Sequence, residues 1–117
     1  MDRIIEQEDV AGIARIVADQ LVRDKVRYIT RDLCENLLRA EIGDRPVRFA
    51  NLDRILSAVI SQICPWTVEY LRKAPRRPLV RKWLEDNVVG HYAIRHQSAV
   101  AFSDQRTATL FKLFWGR

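Results

Sequence analysis

The feature that most constrains the fold is an apolar stripe at helical spacing in the middle of the chain. Its members recur at intervals of three and four residues: Leu52, Ile55, Leu56, Val59, Ile60 and Ile63. This spacing places the side chains on one face of a helix and predicts the central core helix. Asn51 is predicted to cap its start. Pro65 is expected to end it, because proline lacks an amide hydrogen and crowds the preceding turn.

Similar patterns predict two helices before this segment. The first is expected over about residues 7–24, where apolar residues recur every three or four positions. The second is expected to begin after a Thr30 cap and to stop at Gly43, because glycine suits the end of a helix. These helices and the central one would make the first half of the chain helical.

Prolines suggest two short helices after the central one, since proline suits the first turn of a helix. One is predicted from Pro65 to about Arg72, and the other from Pro78 to about Asp86. The second has a set of apolar residues that we expect to face inward: Leu79, Val80, Trp83 and Leu84.

After Gly90 the spacing of apolar residues changes from helical to alternating. The alternation from Tyr92 to Phe102 predicts a β-hairpin with its turn near residues 96–98. Ser103 and Asp104 are expected to supply a cap and a first-turn acid for an apolar last helix. The chain, residues 1–117, is therefore predicted to be a single domain of the mainly α (α+β) class. We expect a compact helical domain of five or six helices with a small C-terminal β-hairpin and a closing helix.

Charge is distributed unevenly along this predicted fold. Residues 1–59 carry 10 Lys and Arg against 11 Asp and Glu, a net charge of −1. Residues 60–117 carry 10 against 4, a net charge of +6. Six of the eleven residues from Arg72 to Lys82 are basic and none is acidic. This asymmetry predicts a negatively charged partner that meets one end of the molecule.

The basic cluster is the best candidate for a binding site. Arginine and lysine neutralise phosphates and release counterions, so we expect nucleic-acid binding that depends strongly on salt. The candidate nucleic-acid-binding residues are Arg72, Lys73, Arg76, Arg77, Arg81, Lys82, Arg95 and Arg106. Aromatic residues that could stack on single strands are Trp66, Tyr70, Trp83 and His96. An acidic protein surface would satisfy the same charges, and the cluster could also be a solvated face whose arginine stems cover the core.

No catalytic or metal-binding pattern accompanies the cluster. Cys34 and Cys64 lie in apolar contexts that predict buried free thiols, and their separation does not suit a zinc site. His91 and His96 are five residues apart, which on a strand sends their side chains to opposite faces. We therefore expect a protein that is not an enzyme and has no metal and no cofactor.

The end of the chain has a pattern of its own, a strand followed by an apolar helix with a Leu-Phe-Lys-Leu-Phe-Trp-Gly finish. The residues that carry the pattern within residues 100–116 are Phe102, Asp104, Ala108, Leu110, Phe111, Lys112, Leu113, Trp115 and Gly116. In this tail the chain resembles small uncharacterised bacteriophage proteins. The resemblance covers about a seventh of the chain and implies viral origin rather than an activity. A strand and a capped amphipathic helix that closes the core would account for the same residues.

These observations leave several functions open. The preferred one is a small phage protein that binds nucleic acid, and the alternatives are a phage protein that inhibits or redirects a host protein, or a virion or assembly component. In a winged helix-turn-helix version, the 78–86 helix would enter a major groove and the 92–102 hairpin would be the wing. No apolar run approaches the ~20 residues that a membrane span needs, so we expect a cytoplasmic protein, in the host if phage-encoded, or one in the virion. Some of the tryptophans and phenylalanines could form a homo-oligomer interface.

Overall fold

The apolar stripes and the alternating segment become separate layers in a computed structural model. It describes residues 3–69, 77–96 and 99–116, except for the side chains of Arg77 and His96. The elements in chain order are α1 (Gln7–Arg23), α2 (Arg31–Ile42), α3 (Phe49–Ile63), β1 (Trp66–Glu69), α4 (Arg77–Asn87), β2 (Tyr92–His96), β3 (Ala99–Phe102) and α5 (Gln105–Trp115). The described residues thus form five helices and a small antiparallel sheet, which confirms the predicted mainly α (α+β) class.

The ends of the first helices follow from local hydrogen bonds. The Asp9 side chain accepts a bond from the amide of Glu6 at the start of α1, at 3.0 Å. The Thr30 hydroxyl accepts a bond from the amide of Leu33, at 3.2 Å, which confirms the predicted cap of α2. Gly43 ends α2 with a φ of 61° and donates its amide hydrogen to the Arg39 carbonyl. A residue with a side chain adopts this backbone geometry less readily than glycine.

The predicted cap of α3 was wrong. The helix begins at Phe49, and Asn51 lies within its first turn, where its side chain is buried. The Asn51 side-chain amide donates to the carbonyl of Ile5 at 3.2 Å instead of capping the helix. The amide of Ile5 donates to Pro46 on its other side. Asn51 therefore fastens the segment before α1 to α3, which a local pattern does not show.

The short helix predicted after Pro65 was also wrong. Residues Trp66–Glu69 form β1, which pairs antiparallel with β3 from Trp66↔Phe102 to Glu69↔Ala99. The rest of the predicted helix lies outside the described residues. Pairing with β3 satisfies the backbone groups of a segment that contains the β-branched residues Thr67 and Val68, and such tertiary pairing overrides a weak helical pattern.

The predicted hairpin is confirmed as β2 and β3, with an irregularity in register between Ile94 and His96. The remaining predicted turn residues, 97 and 98, lie outside the described part of the chain. The strand order is β1-β3-β2, so β3 is the central strand. All four residues of β3 are buried.

The sheet lies between two layers of helices. Ala93 and Ala101 pack into the core formed by α1, α2 and α3, which we call the three-helix layer. Tyr92, Val100 and Phe102 pack into a second core with α4 and α5, which we call the two-helix layer. Alternate residues of a strand point to opposite faces. The alternation in the sequence therefore separates two cores, rather than a core from solvent.

Two details of the two-helix layer correct the sequence-based prediction. Val80 and Leu84 of α4 face inward as predicted, but Leu79 is 54% exposed. Asp104, rather than Ser103, caps α5 and accepts a bond from the Thr107 amide at 2.9 Å. The Ser103 hydroxyl accepts from the amide of His91, at 2.8 Å.

None of the described helices is long and apolar enough to cross a membrane.

Candidate functional site

The predicted basic residues fall into two groups in the structure. Arg72, Lys73 and Arg76 lie outside the described residues, and Arg77 is the first residue of α4, with a side chain that is not described. The other four have described side chains: Arg81, Lys82, Arg95 and Arg106. The geometry of the candidate site therefore rests on these four.

Tyr28, which precedes α2, positions Arg81. The guanidinium carbon of Arg81 lies 5.9 Å from the centroid of the Tyr28 ring. A hydrogen bond to the Tyr28 hydroxyl raises the pKa of Arg81 above its ordinary value. The Tyr28 ring in turn stacks on the Tyr92 ring of β2, with 5.0 Å between centroids and 1° between planes. Arg81 is therefore a permanent cation placed over an aromatic ring that is itself fixed by the sheet.

A cleft of about 480 Å³ lies beside Tyr28, between α2, α3 and β2. Its lining includes the apolar side chains of Leu56, Ile60 and Ile94. Arg95 of β2 also lines it and donates to the Ser57 hydroxyl on α3, at 3.2 Å. A cleft of this size with an apolar lining and a few polar groups is typical of a site for a small group.

The two arginines of the cleft differ in how their charge is balanced. Arg31 contacts Glu35 and Asp53, each at 3.0 Å, and these two bonds raise its pKa. Arg95 forms no ion pair with a carboxylate in the described part of the chain, and the same holds for Arg81 and Lys82. Arg95 in the cleft and Arg81 over the Tyr28 ring are therefore not held in ion pairs, although Glu85 lies one turn after Arg81 and its charge contributes to raising the pKa of Arg81.

The charges of α4 run against the helix dipole. Arg77, Arg81 and Lys82 occupy its first half, whereas Glu85 and Asp86 lie near its end. The partial charges of a helix favour the opposite order, by roughly 0.3–1 kcal/mol for each group in a terminal turn. The helix dipole therefore does not explain why the cations are there, although Arg81 lies one turn before Glu85, whose charge contributes to raising the pKa of Arg81. Both the helix start and these cations would attract an anion.

Arg27 fixes the other end of α4. Its guanidinium donates to the carbonyl of Glu85 at 3.1 Å and to the carbonyl of Val88 at 2.9 Å. The final carbonyls of a helix lack partners within the helix, and a cation is favourable beside them. Arg27 therefore supplies the positive charge that the last turn of α4 lacks and holds α4 against the three-helix layer.

Arg106 occupies a different part of the surface. It is exposed at the start of α5, and α5 packs against β1 and β3. Tyr28 instead forms an isolated bridge with Tyr92 at the β2 edge. The described contacts consequently join Arg81 and Arg95 through Tyr28 and the cleft, but they do not join Arg106 to that group.

The aromatic residues proposed for stacking do not surround the cleft. Trp66 is on β1, Trp83 packs on Phe111 of α5, Tyr70 lies outside the described residues, and the His96 side chain is not described. Tyr28 was not predicted, although it is the aromatic residue at the site. Its signal in the sequence is weak, because it lies in a connecting segment without periodicity.

The surroundings of the described cysteine and histidine side chains are those of structural residues. Cys34 and Cys64 are free and buried, as predicted. Burial raises the pKa of the Cys34 thiol to about 11 and that of Cys64 to about 12, so both thiols are protonated near neutral pH. The His91 ring contacts the Val26 carbonyl through Nδ1. Within the described residues, no three His, Cys, Asp or Glu side chains are grouped as metal ligands would be.

Comparison with known proteins assigns no family to the chain. No family model matches the chain, and no curated protein and no solved structure is detectably similar to it. The resemblance of residues 100–116 to phage proteins stays a prediction.

Proposed function

We propose that the protein is a non-catalytic binding protein that contacts single-stranded nucleic acid through Arg81, Lys82 and Arg95. The observation that carries this proposal is the unbalanced positive charge beside Tyr28. Arg81 lies over that ring and Arg95 lines the cleft beside it, and neither forms an ion pair among the described residues. Arginine suits phosphate because its guanidinium is planar, permanently charged and weakly hydrated.

The cleft supports a single strand rather than a duplex. Phosphates would contact the three cations, and an unpaired base would enter the apolar cleft beside Leu56 and Ile94. A winged helix-turn-helix would instead place α4 in a major groove. Glu85 and Asp86 are exposed on α4 beside Lys82 and would repel the phosphates along such a groove. The charges of α4 therefore favour contact through its first half alone.

Fluorescence anisotropy tests the proposal directly. Labelled single strands and duplexes of about 20 nucleotides, as DNA and as RNA, are titrated at about 50 and about 200 mM salt. Three phosphate contacts on a single strand predict a loss of affinity of about 20-fold between the two salt concentrations. Absence of binding at the lower salt concentration would eliminate the function.

A matched pair of variants locates the contact. Arg81→Glu should weaken binding of the single strand by at least about tenfold, since a repulsive charge replaces an attractive one. Arg15→Glu is the control, because Arg15 is exposed on α1 and changes the net charge equally. Equal effects of both variants would mean that only the overall charge matters and would contradict a defined site.

The alternative function is a phage protein that binds a host protein or a virion component. An exposed apolar surface on the two-helix layer favours it, because nucleic-acid binding through Arg81 does not use that surface. A pull-down from nuclease-treated lysate separates the two functions. A stoichiometric protein that persists after nuclease treatment supports the alternative, whereas material that disappears supports nucleic acid.

A further inference from the structure

The largest exposed apolar side chains of the two-helix layer lie together. On α5, Leu113 is 77% exposed, Phe114 is 67% exposed and Leu110 is 46% exposed. Phe114 contacts the half-buried Trp83 of α4, with 5.9 Å between ring centroids. Leu79 lies one helical turn before Trp83 on the same side of α4. We call these five side chains the α4–α5 apolar face.

This face is distinct from the basic site beside Tyr28. On α4, the buried residues Val80 and Leu84 point to the sheet, and helical spacing places Arg81 on one flank of them and Leu79 with Trp83 on the other. The contacts agree with this geometry, because Arg81 lies over Tyr28 whereas Trp83 packs against α5. One helix therefore separates two surfaces of different chemistry.

The exposed apolar side chains of α5 are not the ones that pack this helix against the core. Phe111 and Ala108 satisfy the core, and they are buried on the side that meets Phe102 and Trp83. Leu110, Leu113 and Phe114 extend the apolar surface beyond that contact. A single exposed apolar residue on a surface is ordinary, but a contiguous group marks an interaction surface.

Positive charges border the face. Arg106 lies one turn before Leu110 on α5, and Lys82 adjoins Leu79 on α4; both cations are exposed. Neither cation forms an ion pair within the described residues. Asp86, near the end of α4, is the carboxylate on this border. The partner should therefore be apolar at its centre and acidic at its rim.

We propose that the α4–α5 apolar face binds an acidic amphipathic helix of a partner protein. The apolar stripe of such a helix would cover Leu110, Leu113 and Phe114, and its carboxylates would meet Arg106 and Lys82. Apolar anchors spaced three and four residues apart fit a helix laid along another helical surface. Complementary charge at the rim would accelerate association and fix the register of the two helices.

Charge disfavours a second copy of this chain as the occupant. A two-fold dimer would place the same patch on both subunits. Arg106 and Lys82 of one subunit would then approach the same cations of the other, with Asp86 as the carboxylate that could offset them, and like charges at an interface are unfavourable. The border that suits an acidic partner therefore opposes self-association.

A designed peptide tests the proposal. The probe is a labelled peptide of about 18 residues with leucines at helical spacing on one face and glutamates elsewhere. A second peptide has the same leucines and lysines in place of the glutamates, and a third is a scrambled sequence of the first. We expect saturable binding of the first peptide, at least about tenfold tighter than that of either control. Equal binding of all three, or none, overturns the proposal.

Paired variants locate the binding surface. Leu110→Ser with Phe114→Ser should weaken binding of the acidic peptide by at least about tenfold. The control is Ile16→Ser with Phe49→Ser, because these two side chains are exposed to similar extents on α1 and α3. Equal loss in both double variants overturns the assignment. Circular dichroism of each variant verifies that it is folded before the peptide is added.

Two further outcomes would give the face to another occupant. Sedimentation equilibrium that finds a dimer, dissociated by Leu110→Ser, would assign the face to a second copy. Co-sedimentation with phosphatidylserine vesicles that needs Phe114 would assign it to an anionic membrane surface. Either result overturns the acidic helix, whereas a monomer that does not sediment with the vesicles supports it. Nucleic-acid binding through Arg81 can fail without affecting any of these measurements.

Discussion

The arginines of the three-helix layer and those beyond it differ in what they contact. The described ion pairs join Arg3, Arg31 and Arg45 to carboxylates within residues 3–53. The described cations of residues 77–116 form none. In the first region, residues 1–59 with a net charge of −1, three of the ten cations are thus paired within the fold. In the second, uncompensated charge and the apolar residues of α5 remain at the surface, which is what a region that meets a partner requires.

The helices of the two layers differ in the same direction. In α1, acidic residues lie in the first turn and Arg23 lies in the last, as the helix dipole favours. In α4, the order is reversed and Arg27 of the other layer compensates at its end. The charges of α1 therefore suit the dipole of their own helix, whereas the charges at the two ends of α4 oppose the dipole of that helix.

The largest predicted difference in the free energy of unfolding is between variants of two phenylalanines of the two-helix layer. Phe102 is fully buried in the central strand and Phe114 is largely exposed. Phe102→Ala should reduce the free energy of unfolding by about 3–5 kcal/mol, and Phe114→Ala by no more than about 0.5 kcal/mol. Urea unfolding measures both. Comparable losses would mean that Phe114 belongs to the core and that the apolar face is not a free surface.

The junction between the layers should tolerate little extra volume. Ala101 is buried where the sheet meets the three-helix layer. Ala101→Leu should therefore cost about 1–3 kcal/mol, because the added methylenes force neighbouring side chains from their positions. Thermal unfolding followed by circular dichroism measures the loss. An unchanged melting temperature would contradict the close contact of sheet and helices.

The stability contributed by the caps of α2 and α5 should respond differently to pH. Thr30 caps α2 with a hydroxyl, and Thr30→Ala should cost about 1 kcal/mol at any pH. Asp104 caps α5 with a carboxylate, and its bonds to Thr107 lower its pKa. Because the folded-state pKa is depressed, this contribution is present above the unfolded-state pKa and is lost as pH falls through the folded-state value.

The loss caused by Asp104→Ala should therefore shrink in acid while that of Thr30→Ala persists. Urea unfolding of both variants and the wild type across the acidic range measures this difference. A constant loss for Asp104→Ala would mean that the protonated carboxyl caps α5 equally well.

The smallest predicted effect on stability comes from changing one charge on α4, compared with one charge on α2. Arg77→Glu should stabilise the protein by about 0.3–1 kcal/mol, because it places an acid at the start of α4. Arg31→Gln should destabilise it, because Arg31 bonds to Glu35 and Asp53. Chemical denaturation at low salt compares the two. Loss of stability in both variants would show that Arg77 contributes to the fold rather than opposing it.

The sequence predicted elements whose signals are local. The stripe at residues 52–63 predicted α3, and Thr30 with Gly43 bounded α2, because apolar spacing and caps act within a few residues. The strand β1 was missed because its partner β3 lies thirty or more residues away. Loop residues that act over longer separations, such as Arg27 on α4, were missed for the same reason.

The positive charge of the candidate site could be predicted from the sequence, but the shape of the site could not. The cluster around Arg81 follows from composition alone. The cleft, and the contact of Tyr28 with Arg81, depend on how β2 packs against the segment before α2. Periodicity carries no information about that contact.

The most direct test of the difference between the two regions is the salt dependence of single-strand binding by two double variants. In Arg81→Gln with Lys82→Gln, two phosphate contacts are lost, so the slope of log affinity against log salt should decrease in magnitude by about 1.4. Arg15→Gln with Arg54→Gln removes the same charge from exposed positions of the three-helix layer, on α1 and α3, and should leave the slope unchanged. An unchanged slope in the first variant, or an equal decrease in both, would contradict the account.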